Sequence, residues 1–260
     1  MAYIYETHLH TSEASKCGKV SGGDYIDYMI KQGYSGIIVT DHFFNGNSAV
    51  PKNLPWKEKV AMYVSGYKAA KKMADEHNAK ITDESERFDV FFGIEYYFEG
   101  DEYLIYGVDE DWLYANPDVM DKTRVELHEL VSKAGGIMVQ AHPYRERWYI
   151  DDIILTPAAS DGIEIYNAAN KPNMNALGYE YACKLDVPMS AGSDIHFFYD
   201  GAKGGMMFDR RLTSIEDYID AFMNREGTPV ILEDGKVQRV LDTKEQTVPL
   251  HKQTYPLVIN

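Results

Sequence analysis

Cysteine is almost missing from this chain. Among 260 residues only Cys17 and Cys183 occur. They are too few for a disulfide framework and lack the paired spacing of a zinc finger, so both read as free thiols suited to a reducing, cytoplasmic setting. Positive charge is also short: 26 Lys and Arg stand against 41 Asp and Glu, a net charge of −15. That balance disfavours a protein that grips nucleic acid by neutralising phosphates. No apolar run approaches the ~20 residues of a membrane span. The amino terminus, Met1-Ala2-Tyr3-Ile4-Tyr5-Glu6, lacks the basic and apolar regions of a secretory signal. Repeats, low-complexity tracts and Pro-, Gly- or Ser-rich linkers are lacking too.

What is present is a globular composition, 45% hydrophobic and 26% charged, which excludes disordered and fibrous chains. Short apolar runs recur at Tyr3 to Thr7, Gly36 to Thr40, Phe88 to Ile94, Tyr103 to Val108, Gly136 to Ala141, Gly162 to Tyr166 and Val187 to Ala191. Bounded by Gly, Pro or Asp, they read as buried parallel strands. Between them lie helical stripes: Tyr25, Ile26, Met29 and Ile30; Leu127, Leu130, Val131 and Ala134; and Ile215, Tyr218, Ile219 and Phe222. Thr213 with Glu216 reads as a capping box opening the third stripe. Alternation of strand and helix implies βα units and a small (β/α) barrel over residues 1–233, with 234–260 as an extension packing on it. Residues 43–57 read as a loop long enough for a lid or a site wall.

The strand ends carry the chemistry. The first leads into His8-Leu9-His10-Thr11, the second into Thr40-Asp41-His42, and the third ends Gly93-Ile94-Glu95. Later ones end Gln140-Ala141-His142-Pro143 and Gly192-Ser193-Asp194-Ile195-His196. In a parallel barrel all carboxyl ends lie on one face, so these groups converge although they are distant in sequence. Alternation along a strand points His8 and His10 the same way. Imidazole and carboxylate are ligands for Zn, Mn or Fe. Five histidines and two carboxylates exceed the needs of one tetrahedral ion, which predicts at least two metals about 3.5–4 Å apart.

In order, these motifs resemble those of the polymerase and histidinol phosphatase (PHP) superfamily over roughly residues 1–200. The resemblance implies a distorted seven-stranded (β/α) barrel, two or three divalent ions (Zn, Mn or Fe) and phosphoester hydrolysis. It would place His8, His10, Glu95 and Asp194 on a first metal, Glu95 and His142 on a second, and His42 and His196 on a third. A hydroxide held between metals bridged by Glu95 would attack phosphorus in line. Two positions depart from the pattern. Lys16 stands where many members carry a further histidine, with Glu13 and Ser15 as nearby substitutes. The stretch Tyr96 to Trp112 has no histidine and offers Asp101, Glu102 and Asp109 instead.

Arg145, just after the fourth motif, is expected at the site rim as a bidentate phosphate fork, and Lys16 as a point charge beside it. Asn167 and Asn170 read as turn residues first and substrate contacts second. Cys17 beside Lys16 is too thin a case for a thiol nucleophile. The expected substrate is a small phosphomonoester: histidinol phosphate, a nucleotide or a sugar phosphate. Rival readings are a metal-stabilised regulatory module without turnover, a PHP-type exonuclease and a phosphotyrosine phosphatase.

Overall fold

Strict alternation sorts the side chains of each apolar run into clusters on opposite faces. In the second run Ile37 and Val39 join one core cluster and Ile38 another; in the fourth, Tyr103 and Ile105 part from Leu104 and Tyr106 in the same way. Both faces of these strands are therefore buried, which is why they read as unbroken apolar segments. The computed structural model describes residues 2–148, 150, 152–242 and 257–259. Its first half runs β1 (Tyr3–Leu9), α1 (Tyr25–Lys31), β2 (Gly36–Val39), α2 (Trp56–Tyr63), α3 (Ser65–Asn78), β3 (Asp89–Tyr97), β4 (Glu102–Tyr106), α4 (Glu110–Ala115) and α5 (Arg124–Lys133). There follow β5 (Ile137–Ala141), β6 (Ile154–Leu155), β7 (Gly162–Asn167), α6 (Pro172–Leu185), β8 (Met189–Gly192) and β9 (Lys203–Phe208). The chain closes with α7 (Ile215–Met223), β10 (Thr228–Glu233), β11 (Lys236–Arg239) and β12 (Leu257–Val258).

Ten strands form one sheet, in the order β11-β10-β9-β1-β2-β3-β4-β5-β7-β8. The sheet curls until β8 meets β1: Thr7 Oγ1 donates to the Ala191 carbonyl at 2.9 Å, and a parallel bridge joins Leu9 to Ile195. This is a mixed α/β fold. It departs from the all-parallel reading because β4 runs antiparallel to β3 and β5. Only residues 98–101 join β3 to β4, whereas a parallel crossover needs a dozen or more. Gly100 there takes φ +116, a conformation few residues other than glycine adopt. The strand count exceeds the expected seven because β9, β10 and β11 extend the sheet antiparallel beyond β1. β9 gave little signal because its Gly204 and Gly205 replace the bulky residues of a usual strand. A Cβ on Gly204 would lie 2.2 Å from the Gly192 carbonyl oxygen, so the close approach of β9 to β8 requires glycine.

The three expected helices form. The cap of α7 lies one residue later than expected, with Ser214 accepting from the Asp217 amide at 3.2 Å. A complete capping box occurs instead at Thr123 and Glu126 of α5. Within the expected loop 43–57, residues 43–50 pack into the core, with Phe43, Phe44 and Val50 buried and the Ala49 amide donating to the Ala14 carbonyl at 2.7 Å, whereas residues 51–53 are exposed. In the tail, β11 pairs with β10 and β12 with β6, while residues 243–256 lie outside the described part.

Candidate metal centre

A register irregularity in β1 aims the first two histidines. The pairing with β2 shifts between Glu6 and Leu9, so Ile4 and Leu9, five residues apart, fall in the same core cluster instead of on opposite faces. His8 and His10 are thereby turned together to the interior, a common use of a bulge beside a site. Around them the other strand ends converge as expected. His8 Nε2 lies 3.0 Å from Glu95 Oε1 and 3.5 Å from Asp194 Oδ1; His10 Nε2 lies 3.4 Å from Glu95 Oε2 and 3.1 Å from Asp194 Oδ1. His42 Nδ1 approaches Glu95 Oε2 at 2.6 Å and His142 Nε2 approaches Glu95 Oε1 at 3.2 Å. His196 stands outermost, its Nδ1 3.7 Å from Asp194 Oδ1, and its ring stacks on that of His10 at 4.4 Å.

These atoms are close without being well hydrogen-bonded. His8 Nε2, His10 Nε2, His42 Nδ1 and Glu95 Oε2 are all buried and make no hydrogen bond. An orphaned buried polar atom costs ~1–3 kcal/mol, and four of them facing one space call for a common partner. The possible ligand sets overlap: His8 with His10 and Glu95; His42 with Glu95 and Glu102; His10 with His42 and His196; and His8 with His142 and Glu164, each offering atoms within 4.8 Å of one another. A divalent cation suits this donor set.

A second layer fixes the ligands. Glu164 bonds His8 Nδ1 through Oε1 at 3.0 Å, while its Oε2 accepts from the His142 amide at 3.0 Å. Because a carboxylate accepts, His8 Nδ1 carries a proton, and Nε2 is the nitrogen left facing Glu95 and Asp194. Asp41 organises the first loop, accepting from the Thr11 amide, the Thr11 hydroxyl and the Ser15 hydroxyl at 2.6 Å each. Ser15 in turn contacts His10 Nδ1 at 3.2 Å and accepts from the His42 amide at 3.0 Å. His142 and Asp194 sit at φ +30 and +55, so two candidate ligands are held in a left-handed backbone that side chains disfavour.

Arg145 lies inside this layer instead of at the rim. It is 6% exposed, and its guanidinium donates to Asp194 Oδ2 at 2.7 Å, Asn167 Oδ1 at 2.8 Å and Asn170 Oδ1 at 2.8 Å. Lys16 is exposed on the first loop. Of the candidates in the stretch without histidine, Glu102 faces the centre, 3.5 Å from His142 Nε2 and 3.9 Å from His42 Nδ1. Asp101 instead pairs with Arg124, and Asp109 caps α4. Glu13 turns away to accept from the Gly22 amide. Sequence reasoning missed Glu164, although a carboxylate within the apolar run Gly162 to Tyr166 was a signal. It also weighed Cys17 only as a nucleophile, whereas the charges around it act on its thiol.

The electrostatics follow from crowding. Burial, then the Glu95 charge, pushes Glu102 up to about 8. Glu95 itself is held well below the usual carboxylate range, the imidazoles of His42, His8 and His10 outweighing its burial. Burial and the neighbouring His42 and His196 hold His10 well below the ordinary histidine value, leaving its ring neutral. Burial raises the Cys17 thiol, but hydrogen bonds to His196 and His42 dominate and bring it down to about 6. Burial disfavours the charged rings of His8 and His42, but the carboxylates around them outweigh it and hold both well above the ordinary histidine value, so the site gathers positive charge against its carboxylates, the charge a bound cation would supply.

Fold and site together define a curled α/β sheet with a histidine- and carboxylate-rich candidate metal centre at its strand ends. No protein-family model and no curated protein matches the sequence. Solved structures do share the fold. A two-domain protein from Bacteroides vulgatus, containing a predicted PHP-like metal-dependent phosphoesterase, aligns with 88% of this chain at a TM-score of 0.63 and 14% identity. The chain spans 64% of that protein's length. The lesion-specific endonuclease PfuEndoQ of Pyrococcus furiosus aligns with 92% of the chain at a TM-score of 0.50 and 12% identity, over 58% of its own length. PsfC of Pseudomonas syringae aligns with 84% at a TM-score of 0.50 and 16% identity, over 88% of its own length. The chain thus shares its fold with these proteins. No helix among the described residues is long and apolar enough to cross a membrane.

Proposed function

We propose that this chain is a PHP-type metal-dependent phosphoesterase whose substrates are small phosphomonoesters such as histidinol phosphate, a nucleotide or a sugar phosphate. The observation that carries the reading is the group of buried ring nitrogens and the carboxylate oxygen left without hydrogen bonds where the strands end. The shared fold supports it, and the net charge of −15 favours a small anion over a polynucleotide. His8, His10, Glu95 and Asp194 would hold one ion, Glu95, His142 and Glu102 a second, and His42 and His196 a third. Divalent ions bound there supply charge neutralisation and a nucleophile at neutral pH.

The chain's own residues prepare the site. Glu164 keeps a proton on His8 Nδ1 and fixes the His142 backbone. Arg145 holds Asp194 ionised, together with His8, against the cost of its burial, so Asp194 serves as a ligand and not as a proton donor. Lys16, exposed on the loop that brings Ser15 and Cys17 to the centre, meets the substrate phosphate.

The test is hydrolysis of p-nitrophenyl phosphate after chelation and reloading with Mn²⁺ or Zn²⁺. Activity should vanish on chelation, return with metal and be absent in His8→Ala; activity surviving both treatments refutes the reading. The likeness to an endonuclease over 92% of the chain favours a second reading, phosphodiester cleavage at the same centre. Turnover of DNA that falls steeply with salt, with none on monoesters, would select it.

A further inference from the structure

We propose that Glu6 is a positioning residue for the metal centre, a single carboxylate oxygen that sets His8 and Asp194 against each other; the inference rests on the metal-dependent reading above. Glu6 Oε1 accepts from the His8 amide at 2.9 Å and from the Ser193 amide, 187 residues away, also at 2.9 Å. One atom thus ties the end of β1 to the chain just beyond β8, with a candidate ligand at or beside each tied point. Glu6 is fully buried, and His8 and Ser193 are buried with it, so bulk water does not compete for either amide. The other oxygen, Oε2, makes no hydrogen bond, and Glu6 belongs to none of the candidate ligand sets among the described residues. What the side chain contributes is the pair of amides it holds.

These bonds fall where the regular ladder is broken. β1 loses register with β2 between Glu6 and Leu9. β8 ends at Gly192, and beyond it the Ile195 amide donates to the His8 carbonyl at 3.2 Å and the His10 amide to the Ile195 carbonyl at 3.0 Å. Glu6 supplies the rung before these from a side chain, in place of a strand carbonyl. Asp194, at φ +55, is thereby pinned through the amides on both sides of it, Ser193 to Glu6 and Ile195 to His8. A side chain held in that left-handed region persists only when its surroundings over-determine it. The outcome is the approach of Asp194 Oδ1 to His8 Nε2 at 3.5 Å and to His10 Nε2 at 3.1 Å. An apolar residue in place of Glu6 would leave two buried amides without this acceptor and free the Asp194 turn to move away from His8.

The experiment is zinc titration of the full chain against a chelating dye, with thermal unfolding of the same metal-free samples alongside. Glu6→Met, close in length but without an acceptor, should weaken zinc binding ~10–100-fold, the loss typical when a group that orients a ligand is removed. Glu6→Gln, whose amide oxygen accepts as a carboxylate oxygen does, should restore most of that affinity. Tyr34→Phe removes the bond from the Tyr34 hydroxyl to the Gly204 carbonyl of β9 at 2.6 Å and touches neither amide; it should lower the melting temperature and leave zinc affinity unchanged. Wild-type zinc affinity in Glu6→Met, no recovery in Glu6→Gln, or an equal loss in Tyr34→Phe overturns the inference. Should Glu6→Met fail to fold, Glu6→Asp, which draws the oxygen back by one methylene, carries the same expected loss and the same refutation. Hydrolysis of p-nitrophenyl phosphate separates the two claims: turnover by wild type together with unaltered zinc affinity in Glu6→Met keeps the phosphoesterase reading and removes the positioning role. The expected affinity pattern with no turnover in any variant does the reverse, and a wild-type chain that takes up no zinc overturns both.

Discussion

Arg145→Met tests whether the buried arginine braces the metal centre or grips substrate. The substitution removes three hydrogen bonds, to Asp194, Asn167 and Asn170, and leaves the Asp194 carboxylate buried without its cation. Breaking a buried pair by deleting one partner costs ~3–5 kcal/mol, because the remaining charge stays desolvated. With a urea slope of about 3 kcal/mol/M, the unfolding midpoint of the metal-free protein should fall by about 1–1.7 M. Metal changes the outcome in a way that a packing defect would not. Asp194 Oδ1 faces His8 and His10, on the far side of the carboxylate from Arg145, so a cation bound there compensates the same charge. The penalty should therefore shrink when the protein is saturated with Zn²⁺. Urea titrations monitored by tyrosine and tryptophan fluorescence, with and without metal, give both numbers. Equal penalties in the two forms would refute the electrostatic account. An unchanged midpoint with a raised KM alone would make Arg145 a substrate fork, as its place in the sequence first implied.

Saturating metal should stabilise wild type against heat, by ~2.7 kcal/mol at a concentration 100-fold above Kd, and His8→Ala should lose most of that gain; calorimetry with and without chelator measures it. Gly192→Ala should weaken metal binding more than it destabilises the fold, because the added Cβ would lie 2.6 Å from His8 Cβ and 2.9 Å from Glu164 Oε1; zinc titration against a chelating dye reads the change, and an unchanged affinity would contradict the packing argument. His128 Nε2 bonds Asp161 Oδ1 at 3.0 Å, and that hydrogen bond, outweighing partial burial, raises the histidine's pKa. A raised histidine contributes stability that is complete below its unfolded value of about 6.5 and is lost as pH climbs through the higher folded value. The stability difference between wild type and His128→Gln should accordingly shrink as pH rises through that window; a difference independent of pH would sink the assignment.

Much of the site was legible before the fold. His8, His10, His42, Glu95, His142, Asp194 and His196 each stand at the end of an apolar run, and chain geometry alone says that such ends meet on one side of a curled sheet. The helical stripes were legible for the same reason, since a period of 3.6 is written in adjacent residues. The antiparallel course of β4 was hidden, because hydrophobicity reports burial and not direction. β9 was hidden because close packing against β8 demands glycines that erase the strand's signature.

Sequence by itself settled which residue types are available and roughly where along each strand they fall, because local periodicity and turn chemistry act over a few residues. Tertiary structure decided the partners. It chose Glu102 over Asp101 and Asp109, drew Arg145 under Asp194 and brought Glu164 behind His8 from 156 residues away. Such choices depend on a bulge, a short hairpin and the closure of β8 on β1, which join residues by distance in space and leave no spacing to read along the chain.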